Sequence, residues 1–115
     1  MALSVEVSME NGAAVLKLVG SLDASSTEYL SNAISQAAQK TGTPRIVLSM
    51  DSLEFISSAG WSLLVESSKA LKEKNGDLRL SEMRETALRI FKLMGLEVCL
   101  KEYRTQIDAV KSYAE

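Results

Sequence analysis

The chain has 115 residues, 46% of them hydrophobic and 24% charged, a composition that supports one globular domain over residues 1–115 and excludes a disordered tail. Thirteen basic against fifteen acidic residues leave a formal charge of −2, a poor match to a phosphate backbone, so nucleic acid is not expected as a partner. Histidine is absent, which removes Ser-His-Asp triads, Cys-His dyads and histidine metal sites, so neither an enzyme nor a metal centre is expected.

The N-terminus reads as a hairpin. Leu3, Val5 and Val7 alternate with Ser4, Glu6 and Ser8 at strand period, and Asn11-Gly12 is a strong turn signal because both residues tolerate positive φ. A second strand is predicted from Ala13 to Val19, ending at Gly20. Ser25 and Glu28 have capping-box spacing, followed by Leu30, Ala33, Ile34, Ala37 and Ala38 in one helical stripe that Thr41-Gly42-Thr43-Pro44 stops. The apolar run Ile46-Val47-Leu48 fits a strand covered on both faces.

A second helix is predicted from Ser58 to Asn75-Gly76, with Gly60, Leu63, Leu64, Ser67 and Leu71 inward. Leu78 and Leu80 mark a short strand. Met83, Ala87, Ile90, Phe91 and Met94 mark a third helix closed by Gly95, with Leu96 able to fold back onto it. Val98-Cys99-Leu100 is read as a last strand, and Thr105 with Asp108 opens a C-terminal helix carrying Ile107, Val110 and Ala114. The order β-β-α-β-α-β-α-β-α predicts an α/β domain of about four helices. Its mixed sheet starts with an antiparallel hairpin and continues with parallel strands.

No apolar run approaches the roughly 18 residues of a membrane span, and no basic region leads into an apolar signal core, so no membrane association and a cytoplasmic location are expected. Cys99 stands alone, consistent with a reducing compartment. The glycine-rich phosphate cradles are missing, so no cofactor is expected.

The informative stretch is Phe55-Ile56-Ser57-Ser58-Ala59-Gly60-Trp61-Ser62, which places two hydroxyls at a helix start. A serine there commonly serves as an N-cap. The same free amides and positive dipole end also favour a phosphate, so a phosphoserine could change the surface without melting the helix. Trp61 either packs in the core or serves as a partly exposed anchor on the same helical face as Ser58. Gly60 suits close packing against the sheet or backbone access for a partner. Asp23 either caps the following turn or lines the surface around Ser58.

This stretch resembles the signature of STAS-domain anti-sigma factor antagonists. Gly20-Ser21-Leu22-Asp23, Arg45-Ile46-Val47-Leu48 followed by Asp51, and the segment from Arg89 to Leu96 resemble other family segments in the same order. The resemblance implies a protein that binds an anti-sigma factor of the GHKL ATPase type, itself a serine kinase, and so frees a sigma factor. Phosphorylation of one serine would abolish that complex and a serine phosphatase would restore it. The phosphoserine falls on Ser58; because Ser57 replaces the usual aspartate, Ser57 is the alternative acceptor. Partner-binding residues carried over are Asp23, Ser57, Ser58, Ala59, Gly60, Trp61 and Ser62, and the free domain is expected to be a monomer. The competing reading is an accessory STAS interaction domain of a signalling, lipid-trafficking or transport complex, with no phosphorylation.

Overall fold

The computed structural model describes residues 2–114. In chain order it contains β1 (Leu3–Glu10), β2 (Ala13–Leu22), α1 (Thr27–Thr41), β3 (Arg45–Ile56), α2 (Ser58–Lys72) and β4 (Asp77–Ser81). Then come α3 (Glu85–Leu93), a 3-10 turn at Leu96–Val98, β5 (Lys101–Tyr103) and α4 (Gln106–Ser112). The strands form one sheet in the order β1-β2-β3-β4-β5, with β1 antiparallel to β2 and every other pair parallel. Asn11 and Gly12, at φ 48° and 84°, make the predicted tight turn between β1 and β2.

Topology dictates the layers. Each parallel step from β2 to β5 moves one place in the same direction, and right-handed crossovers then put α1, α2 and α3 on one face. There Leu16, Leu18, Leu48, Met50 and Leu80 of the sheet meet Leu30 and Ile34 of α1, Trp61 and Leu64 of α2, and Phe91 of α3. α4 follows the last strand and is free of that rule. It folds onto the opposite face, where Ala109 and Val110 cover Val15 and Val47. The Tyr113 hydroxyl lies 2.7 Å from both the Ile46 and Asp77 carbonyls, and Arg79 sits 4.0 Å over the Tyr113 ring.

Several expectations need correction. β2 continues through Gly20, whose φ of 114° accommodates an irregular register with β3; a Cβ there would fall 2.0 Å from the Ala2 carbonyl oxygen. The predicted capping box does not form. Ser25 turns back to Asp23, and the N-cap position moves one residue on to Ser26, so α1 starts at Thr27. Val98-Cys99-Leu100 is not a strand. Gly95, at φ 67°, reverses the chain, the amides of Cys99 and Leu100 fold onto the Leu96 carbonyl, and the polar Lys101–Tyr103 pairs with β4 instead. Val98 is therefore 86% exposed, while Leu100 plugs the core.

In α4 the packing face is Ala109, Val110 and Tyr113, and Ile107 is 62% exposed. Met83 precedes α3, in which Phe91 is the buried anchor and Ile90 points to the surface. On the edge strand β1, Leu3 is buried and Val5 packs against the core, but Val7 is half-exposed.

Candidate functional site

The predicted site assembles where β2 and β3 end side by side. They pair to their last residues, Leu22 with Ile56, and the Ser57 amide then donates to the Leu22 carbonyl at 2.9 Å. Asp23 and Ser58 each follow one end of that bond, so the two loops present them together.

The two serines have different jobs. Ser57 is extended, at φ −85° and ψ 173°, as an N-cap residue must be. Its Oγ accepts from the Gly60 amide at 3.2 Å, and its carbonyl accepts from the Trp61 amide at 3.0 Å. Ser58 is the first residue of α2 and is exposed. Its hydroxyl has no hydrogen-bond partner among the described residues, and the amides of Ser58 and Ala59 are likewise open. The first turn of α2 contains no acidic residue. A negative group on Ser58 would thus meet free amides and the positive end of a 15-residue helix.

Gly60 is buried against the end of β2. A Cβ would stand 2.9 Å from the Leu22 carbonyl oxygen and Cγ, and 3.0 Å from Ile56 Cγ2, so close packing alone explains glycine there. Trp61, at 3% exposure, is a core residue whose ring centroid lies 6.1 Å from that of Phe91 in a tilted arrangement. Ala59 and Ser62 are exposed beside Ser58. The surface of the site is therefore Asp23, Ser58, Ala59 and Ser62, with Ser57 partly visible and Gly60 and Trp61 beneath.

Asp23 accepts from the Ser25 hydroxyl at 2.6 Å and from the Ser25 amide at 3.0 Å. These bonds, hydroxyl first, hold its carboxyl below the usual carboxylate range, so it is charged at neutral pH. The Asp23 amide donates to Ser26 Oγ at 3.0 Å, and that hydroxyl donates to the Ser21 carbonyl at 3.0 Å. The turn is thus tied on both sides, and Asp23 caps it while also lining the surface near Ser58.

Sequence reasoning missed a neighbouring feature. β4 pairs with β3 only as far as Ser49, whereas β3 runs on to Ile56, and α3 spans the gap. A cleft of about 250 Å³ remains between them, lined by Leu53, Phe55, Ile56, Trp61, Arg84 and Ile90 among others. No local sequence signal marks this cleft, since Ala87 and Leu88 of α3 pack on the core beside Phe91.

Comparison with known proteins agrees with this architecture. The family model for the STAS domain matches residues 4–109. An anti-sigma F factor antagonist of Paenibacillus polymyxa is 24% identical over 110 residues, covering 96% of this chain and 94% of that protein. An anti-sigma factor antagonist from Mycobacterium paratuberculosis superposes with a TM-score of 0.85 at 24% identity, over 98% of this chain and 95% of that one. The Bacillus cell fate determinant SpoIIAA in its phosphorylated form superposes with a TM-score of 0.70 at 22% identity, over 96% and 99%. With the family model matched along nearly its whole length, the chain belongs to the STAS domain family.

Proposed function

We propose that the protein is an anti-sigma factor antagonist that works in the cytoplasm as a binding regulator and not as an enzyme. Its unphosphorylated form docks the strand-end surface around Asp23 and Ser58 onto an anti-sigma factor that is also a serine kinase. The kinase moves the γ-phosphoryl of ATP onto Ser58 Oγ, the hydroxyl proton leaves with the kinase's base, and ADP departs. The added charge of about −1.5 to −2 sits where the partner had docked, beside the ionised Asp23, and the complex separates. A serine phosphatase reverses the change.

The observation that carries this reading is the division of labour between adjacent serines. Ser57 Oγ is committed to the helix cap, while Ser58 Oγ is exposed and unbonded among the described residues. Ser58 is thus the acceptor favoured over Ser57. The names of the relatives and the existence of a phosphorylated form of SpoIIAA support the assignment.

The test uses the purified anti-sigma kinase from the same genome that binds the wild-type chain. Incubation with ATP should add one phosphate, located at Ser58 by fragmentation, and Ser58→Asp should abolish binding without unfolding the chain. Normal binding by Ser58→Asp, or no phosphate gained by the wild type, refutes the proposal.

A further inference from the structure

The cleft between the end of β3 and α3 is unexplained by the phosphoserine switch. Its wall joins the core residues Leu53 and Trp61 to exposed apolar and charged side chains. Phe55 and Ile90 are 56% and 37% exposed at its mouth, a poor use of large side chains unless something covers them. Trp61 forms part of the wall, and its buried Nε1–H has no hydrogen-bond partner among the described residues. An orphaned buried donor is costly, and a ligand acceptor would relieve it.

Charge identifies the kind of occupant. Arg84 lines the same cleft and spends its Nε–H on the Asp51 carbonyl at 2.9 Å. No carboxylate lies within 4.0 Å of its guanidinium among the described residues, so its terminal nitrogens remain for a partner. In the lining Arg84 is the one cation. Glu54 is the one carboxylate in the lining.

We infer that this cleft is a second docking point for the anti-sigma partner, taking a segment that presents one large apolar side chain next to a carboxylate. The apolar group enters between Phe55 and Ile90, the carboxylate meets Arg84, and the segment packs beside the Trp61 indole. A volume of about 250 Å³ suits one side chain and not a whole helix. The surface is continuous with the proposed switch, because Ile56 and Trp61 line the cleft while bracketing Ser58 in the chain. This inference rests on the proposed function, since it takes the same partner.

The experiment measures affinity for the same purified anti-sigma kinase. A Phe55→Ser/Ile90→Ser double variant, both positions being exposed, should bind at least 10-fold more weakly with an unchanged melting temperature. Arg84→Glu should bind at least 10-fold more weakly and show less dependence on salt than the wild type. The chain's one tryptophan, replaced by 5-fluorotryptophan, gives a single fluorine resonance, which should shift when unlabelled kinase is added. Binding of both variants within twofold of wild type, or a resonance that stays in place in the complex, overturns the inference. If those results accompany loss of binding by Ser58→Asp, the cleft is refuted and the switch stands. If Ser58→Asp binds normally while the cleft variants fail, the switch is refuted and the cleft stands. Should the double variant not fold, the fluorine measurement on the wild-type sequence decides.

Discussion

Replacing Ser57 and Ser58 by alanine, one at a time, separates holding the helix from accepting the proposed phosphate. Ser57→Ala removes the oxygen that accepts the Gly60 amide at 3.2 Å in a half-buried position. Loss of an N-cap serine costs about 1 kcal/mol. In a chain of 115 residues that lowers the melting temperature by about 4 °C. Ser58→Ala removes a hydroxyl with no partner among the described residues and inserts a better helix former, so its stability should stay within about 0.5 kcal/mol of wild type. Urea denaturation followed by Trp61 fluorescence suits the comparison, because that indole belongs to the first turn of α2 and packs on Phe91. In parallel, intact mass after incubation with ATP and kinase counts phosphates. Ser57→Ala should melt lower and still gain one phosphate, whereas Ser58→Ala should melt with the wild type and gain none. The assignment is inverted if Ser58→Ala loses the stability and Ser57→Ala loses the phosphate.

Other outcomes follow from contacts already described. Gly60→Ala should destabilise the chain by roughly 1–3 kcal/mol in denaturant, because overpacking against Leu22 and Ile56 outweighs the gain of about 1 kcal/mol in helix propensity; a more stable variant would contradict the close approach. Phosphorylating Ser58 should change stability by no more than about 1 kcal/mol, toward stabilisation, and a scan of the modified protein showing a drop of several degrees would refute that. Tyr113→Phe should cost about 1 kcal/mol and speed amide exchange in α4, having removed the hydroxyl that bonds the Ile46 and Asp77 carbonyls. The same variant tests a pH effect. Burial first, then the Asp77 charge, raises the Tyr113 pKa above its ordinary 10.0, so above about pH 10 the unfolded chain loses a proton that the folded chain keeps. Wild-type stability should therefore fall as pH rises past 10, and Tyr113→Phe should lose that component of the fall.

Where the sequence was readable, one dominant local force was at work. Asn11-Gly12 demands positive φ, Gly42 and Gly95 end their helices left-handed, and the Ile46–Leu48 run fits only a covered strand. Errors arose where two local solutions compete. Ser25 had both Glu28 and Asp23 within reach, and the nearer carboxylate won. Val98-Cys99-Leu100 has strand composition, yet the reversal at Gly95 brought the Leu96 carbonyl over their amides and pushed pairing to Lys101. The helix-start serines were visible as a pair, but only the fold distinguishes the capped hydroxyl from the open one. The cleft at Phe55 was invisible because it arises from β4 ending before β3, a length mismatch between segments distant in the chain.

The amide of Ser57 fastened to the carbonyl of Leu22, with Gly60 wedged beneath, has a consequence for the life of the molecule in the cell. Under the proposed switch nothing in that junction has to open when Ser58 is phosphorylated, so proteases and chaperones, which respond to exposed interior, would meet the same object in either form. If the proposed switch operates, the pool of protein would persist through repeated rounds of it, with its abundance set independently of the message.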